Sequence, residues 1–139
     1  MKIDVVLDAG AIMPTRAHKA DAGLDLYTPK DFCINGGDSI AVDTGVHIAI
    51  PYGWVGFVKS KSGLMFNKNI LAGEGTVDSE YTGSVCIKLY NFGTEPVEFK
   101  KGDKIAQLVI VPCALGNPIQ VEELPKTDRG NGGFGSTGK

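Results

Sequence analysis

Apolar residues in this chain recur at every second position in short runs, and no window holds a 3.6-residue period over a normal helix length. Lys2 to Leu7 alternates, and Leu24 to Tyr27 and Phe32 to Ile34 are brief runs. Ile40, Val42, Val46, Ile48 and Ile50 share the two-residue spacing, broken at Asp43–Gly45 and stopped by Pro51. Val85, Ile87 and Leu89 fall on one face of a strand, with Cys86, Lys88 and Tyr90 on the other. Lys104 to Val111 is apolar on both faces, the pattern of a strand covered on both sides. Turn signals at Asn35–Gly37, Pro51–Gly53, Phe92–Gly93 and Lys101–Asp103 punctuate these runs at roughly 8–12-residue intervals, as in a sandwich or barrel. A short helix after Ser62, around Leu64 to Asn67, is the one exception. The pattern predicts an all-β domain.

Composition removes several classes of partner. A chain of 139 residues is expected to form one domain with a real core. A net charge of −2 and a pI near 5.6 provide no basic footprint for nucleic acid. The apolar stretch in MKIDVVLDAG is too short and broken for a signal peptide, and no run has the length of a membrane span. Cys33, Cys86 and Cys113 are an odd number without a CxxC pair, which favours reduced thiols and a cytoplasmic setting. His18 and His47 belong to no metal-ligand spacing and read as structural or exposed.

Five segments carry residues that chemistry could use. In GEGTVDSEYTG, Gly73 to Gly83, a carboxylate (Asp78) and a phenol (Tyr81) stand between glycines, which allow a ligand close to the main chain. A hairpin there would present N–H and C=O groups to a flat polar ligand; an ordinary hairpin with a solvated Asp fits the same letters. Lys61, Ser62 and Gly63 precede the short helix and would suit an anion. In ADAGLDLY, Asp21 and Asp25 flank a glycine; near phosphates a carboxylate there would hydrogen-bond a magnesium hydration shell. Gln107 is a polar residue within a buried strand and needs partners from the backbone or a ligand. From Lys126 onward, KTDRGNGGFGSTGK has five glycines and little to bury, so residues 1–125 are expected to form the domain and 126–139 a mobile arm. Within the arm, Arg129 and the Ser136–Thr137 pair suit phosphate oxygens and Phe134 suits a flat ring. Gly133 to Lys139 fits part of a P-loop, but no Ser or Thr follows the lysine and no helix can begin there.

In order and spacing the five segments resemble the signature motifs of the homotrimeric dUTPase family. AGLDL (Ala22 to Leu26), KSGL (Lys61 to Leu64), GTVDSEYTG (Gly75 to Gly83), GDKIAQ (Gly102 to Gln107) and RGNGGFGSTG (Arg129 to Gly138) are similar to the first to fifth motifs. The resemblance implies a distorted jelly-roll or β-clip-like barrel, assembled as a homotrimer whose sites each draw on three chains. It implies hydrolysis of dUTP to dUMP and pyrophosphate, assisted by Mg2+. Asp78 would orient and deprotonate the attacking water. Ser62 would contact the oxygen between the α- and β-phosphorus, and Gln107 the α-phosphate region. Lys61, Gly63 and Val77 would belong to the substrate-binding set, and Tyr81 would pack on the deoxyribose. Arg129, Gly135, Ser136 and Thr137 would close on the phosphates, with Phe134 over uracil. Asp25 would hold water bound to the magnesium.

The chain departs from the family pattern in having Lys61 and Lys104 where arginine is usual and Met65 where a small residue is usual. Side chains near Ala72 offer no amide, so the base would be read by the backbone alone. Two other readings remain at this level. One is a dCTP deaminase-like enzyme, for which Glu74 or Glu80 would be the catalytic glutamate. The other is a non-catalytic module that binds a regulatory protein on the same scaffold.

Overall fold

The structure is a computed structural model that describes residues 1–133. Ten strands and one short helix follow one another as β1 (Val5–Leu7), β2 (Gly23–Tyr27), β3 (Phe32–Ile34), β4 (Ser39–Ile48), β5 (Trp54–Lys59), α1 (Ser62–Lys68), β6 (Ile70–Ala72), β7 (Gly75–Val77), β8 (Ser84–Asn91), β9 (Val97–Phe99) and β10 (Lys104–Pro112). One sheet has the order β1-β4-β8-β6 and a second the order β2-β10-β5-β7, with β3 and β9 as a separate pair. All neighbours are antiparallel. The jelly-roll-like, all-β expectation is met, but the barrel part of it is corrected: among the described residues no ladder joins β1 to β6 or β2 to β7, so each sheet keeps two edges.

The alternation read from the sequence is the packing code. In β8, Val85, Ile87 and Leu89 are buried while Cys86, Lys88 and Tyr90 are exposed. They meet Val42 and Ile48 of the same sheet and Leu26, Val58, Ala106 and Leu108 of the other in one core. Each fully buried Leu or Ile of this set contributes about 1.5–3 kcal/mol through area removed from water. At the end of β8 the buried Asn91 side chain donates to the Ile34 and Glu95 carbonyls and accepts from Gly93 N–H, so its burial leaves no polar atom unpaired.

The break at Asp43–Gly45 is a bulge inside one continuous strand. Asp43 pairs with Cys86 and His47 with Ser84, so four steps along β4 match two along β8. Gly45 supplies the left-handed φ of 66° that the extra residues need. Thr44, fully buried, donates its hydroxyl to the Val85 carbonyl at 2.7 Å.

The hairpin expected within Gly73–Gly83 is also corrected. β7 pairs with β5 in the second sheet, whereas β8 pairs with β4 and β6 in the first. Residues 78–83 therefore cross from one sheet to the other. Val77 and Val85 are both buried, so each flanking strand seats an apolar side chain in the core while the polar residues between them stay outside. After Pro112 the described chain forms no further helix or strand, and Leu115, Ile119, Val121 and Leu124 are exposed. Among the described residues no helix is long and apolar enough to cross a membrane.

Candidate active site

The first cluster lies on the second sheet. Gln107 of β10 stands in register between Asp25 of β2 and Lys59 of β5. Asp25 is almost fully buried, with a side chain only 8% exposed, and each carboxylate oxygen meets one lysine. Oδ1 pairs with Lys61, and Oδ2 with Lys104 at 2.7 Å. Burial pushes the Asp25 pKa up, but hydrogen bonds from Lys104 and Lys61 outweigh it and leave the carboxyl below its ordinary range. The Lys104 ammonium is correspondingly raised by its bond to Asp25. Two point charges thus do for Asp25 what one bidentate guanidinium would do.

Gln107 donates its amide to the Ser60 carbonyl at 3.0 Å. The room for that side chain comes from Gly23, where a Cβ would run into Gln107 Oε1 and stand 2.9 Å from its Cδ. Ser60 then links the two sheets, its hydroxyl accepting from Ala72 N–H at 2.9 Å. Directly after Ser60 the chain turns into α1. Lys61 is its extended N-cap residue and makes no side-chain cap, and Ser62 and Gly63 are exposed at the first turn. Asn69 ends the helix in the left-handed region, its N–H bonded to the Leu64 carbonyl.

The second cluster is the sheet-crossing turn. Asp78 is exposed at the end of β7, and Tyr81 N–H returns to the Asp78 carbonyl at 3.1 Å. Tyr81 is 46% exposed, and its hydroxyl donates to the Ser84 carbonyl at 2.9 Å. The ring therefore lies back over Gly83: a Cβ there would run into Tyr81 Oη and stand 2.6 Å from Cζ. Glycine in this segment admits the protein's own aromatic ring. Val77 as a whole is only 5% exposed, with its side chain in the core and away from any ligand in the cleft. Asp78 and Tyr81 border an open cleft of about 670 Å³ that also has Trp54, Phe57 and Thr76 on its walls.

Within one chain the two clusters stand apart. Val58 stands in register with Gly75 at one end of β7, Lys59 pairs with Glu74 just before that strand at 2.9 Å, and Asp78 directly follows Val77 at its other end, four residues beyond Glu74. Four residues of strand and three strand spacings put Asp78 about 20 Å from Asp25. Arg129 is exposed, with Nε donating to the Gly132 carbonyl at 2.9 Å. Phe134, Gly135, Ser136 and Thr137 lie outside the described residues. Sequence reasoning passed over Ser60 and Gly23 as working parts, and read Gly83 as room for a ligand rather than for the Tyr81 ring. Their signal was adjacency, because each stands within a few residues of Gln107's strand partners or of Tyr81.

A family model described as dUTPase matches residues 9–138. The chain is 44% identical over 138 residues to the deoxyuridine 5'-triphosphate nucleotidohydrolase of Corynebacterium glutamicum, covering 97% of this chain and 93% of that protein. It is 43% identical over 135 residues to the protein of the same name from Rattus norvegicus, covering 97% of this chain and 66% of that longer one. Among solved structures, a mutant dUTPase of Staphylococcus bacteriophage 80alpha with dUpNHpp matches at a TM-score of 0.94 and 29% identity, over 99% of both chains. A mutant dUTPase from phage phi11 of S. aureus, described as coordinating a structural Mg(II) ion, matches at 0.83 and 28% identity, over 88% of this chain and 98% of that one. The match runs through all five motif segments, and both the fold and the relatives agree with it: the chain belongs to the dUTPase family and is an enzyme of the dUTP diphosphatase kind.

Proposed function

We propose that the chain hydrolyses dUTP to dUMP and pyrophosphate, with Asp78 as the base, in sites built between the subunits of a homotrimer. Water, aligned by the Asp78 carboxylate and giving its proton to it, bonds to the α-phosphorus. The bond from that phosphorus to the bridging oxygen breaks, and pyrophosphate leaves with the electron pair. Ser62, exposed at the start of α1, meets the bridging oxygen as its charge grows, beside the outward-facing Gly63. Lys61 balances phosphate charge next to Asp25, and Gln107 supports the α-phosphate region through the strand it shares with Ser60. Arg129 and the arm that follows it close over the phosphates, Phe134 covering the base.

Supporting this reading is the pairing, at the mouth of one cleft, of an exposed carboxylate with a tyrosine ring pinned beside its own backbone. That ring is the wall for the sugar: a ribose 2′-hydroxyl would meet an apolar face without a partner, which costs about 1–3 kcal/mol. The chemistry of Asp25 fits magnesium through water. Its two oxygens each hold one lysine and keep further lone pairs for a hydration shell. When bound, Mg2+ would neutralise phosphate charge. The deaminase reading finds no support at Glu74, which is 86% exposed and held by Lys59 in the charged state.

The separation of about 20 Å between Asp78 and Asp25 supports the shared site, because one chain cannot bring both to one phosphate. The test is pyrophosphate release by Asp78→Asn and Ser62→Ala, each alone and after refolding the two together. Each variant alone is expected to be nearly inactive. A mixed trimer always has one boundary at which an intact Asp78 faces an intact Ser62, so activity returns on mixing. Parental activity in Asp78→Asn would overturn the mechanism, and mixtures as inactive as their components would overturn the shared site.

A further inference from the structure

We propose that His47 is a positioning residue for the Asp78–Tyr81 turn, fixing it through the Thr82 carbonyl on one side while held by the Asp8 carboxylate on the other. The inference deepens the function proposed above and rests on it. The turn has little of its own to hold it, since residues 78–83 pass between sheets with one backbone bond of their own, Tyr81 N–H to the Asp78 carbonyl.

Two side chains of β4 supply what the turn lacks. His47 Nδ1 lies 2.8 Å from the Thr82 carbonyl, and Asp43 Oδ1 accepts from the Ser84 hydroxyl. The bulge makes this convergence possible: it gathers Asp43 and His47 around the start of β8, where regular pairing would spread them along the strand. Asp8 is bound into the same bulge, its N–H donating to the Gly45 carbonyl at 2.9 Å and its Oδ2 standing 3.3 Å from His47 Nε2. Gly45 is needed for that approach, because a Cβ there would stand 2.9 Å from Ala11 Cβ and 3.2 Å from Asp8 Cβ.

The ring has a carbonyl at one nitrogen and a carboxylate at the other, so both must donate, and only the imidazolium does so. A neutral ring that donates to Thr82 turns its Nε2 lone pair toward Asp8. The titratable groups around His47 are Asp8 and Asp4 flanking β1 and Asp43 on β4, with the Lys30 charge acting on Asp43. The bond to Thr82 and the one to Asp8 raise the His47 pKa above its ordinary 6.5, against the lowering effect of burial. The tie is therefore complete below that ordinary value and is lost as pH rises through the higher folded value.

The experiment measures kcat and KM for dUTP from pH 5.5 to 9 in the parent, His47→Ala and His47→Asn, with amide hydrogen exchange at Thr82–Ser84 read at both ends of the range. Asparagine keeps a donor at the Nδ1 position and drops the charge. Loss of one charge-assisted bond predicts a parental advantage over His47→Ala in kcat/KM of about tenfold at low pH. That advantage should shrink as pH rises, with faster exchange in the alanine variant at low pH and an intermediate advantage of asparagine over alanine that does not change with pH. A ratio of parent to His47→Ala that is constant with pH, together with equal exchange, overturns the inference. If the parent itself releases no pyrophosphate from dUTP, the proposed function fails instead, and the exchange measurement alone decides whether His47 holds the turn.

Discussion

Gly83→Ala separates the position of the Tyr81 ring from the stability of the fold. Gly83 has no left-handed φ, so alanine meets no backbone strain there. Its Cβ would run into Tyr81 Oη and stand 2.6 Å from Cζ and 2.9 Å from Cε2. Those atoms are the far end of a side chain that is 46% exposed, so the ring can swing into solvent. What is lost is its bond to the Ser84 carbonyl, about 0.5–1.5 kcal/mol. Alanine recovers about 0.4–1 kcal/mol by restricting the unfolded chain. Net stability should stay within about 1 kcal/mol of the parent, a shift of about 4 °C or less in Tm. Activity should respond far more, because in the proposed site the displaced ring no longer lies against the sugar. We expect kcat/KM for dUTP to fall about tenfold, as for 1.4 kcal/mol of lost positioning, and the preference for dUTP over UTP to narrow. Pyrophosphate release with both nucleotides, beside thermal unfolding, reads the two effects separately. Tyr81→Phe is the control: it loses the Ser84 bond, keeps the ring, and should keep the preference. An unchanged dUTP/UTP ratio in Gly83→Ala would refute the argument, and so would a loss of several kcal/mol in stability.

At Gly23 the same substitution has a different outcome, because a Cβ there stands 3.0 Å from Gln107 Cβ as well as against its amide. Gly23→Ala should cost about 1–3 kcal/mol by overpacking and lower kcat together with urea stability. Asp25→Asn removes a carboxylate that two lysines share; at 26% and 39% exposure those lysines reach water, so the cost should be about 1–3 kcal/mol rather than that of a stranded buried charge. Because the folded Asp25 pKa lies below its ordinary 3.8, the parent's advantage is present above that value and is lost as pH falls through the folded one. Unfolding curves of both proteins that stay parallel down to pH 2 would contradict the pairing.

The sequence was most legible where one residue decides one contact. Alternation in β8 named its buried face because each side chain there meets either core or water. The short helix was legible from Lys61–Ser62–Gly63 and the left-handed Asn69 was not, since its role appears only once Leu64 is known to need a partner. β6 and β7 have three residues each and no periodicity to read; they exist because Ile70–Ala72 and Gly75–Val77 find ladders already formed on β8 and β5. The break at Asp43–Gly45 shows the same limit. A strand end and a bulge share one composition, and only the register against Cys86 and Ser84 tells them apart.

The candidate site was legible as residue types and illegible as partnerships. Asp25 was identified from its own neighbours, but its lysines come from the end of β5 and the start of β10, and no local spacing encodes that meeting. The glycines around Asp78 read as room for a ligand against the main chain; at Gly83 the structure gives that room to the Tyr81 ring instead. The edge strand β7 leads outward into Asp78, while Asp25 stands on the opposite edge strand β2 with Gln107 beside it on β10. The other sheet is already committed to the core between the two layers, and in the proposed shared site it is association between copies that brings those ends together. In the homotrimer proposed above, the unclosed edges of the two sheets and the exposed apolar residues from Leu115 to Leu124 are surfaces left for contact between copies.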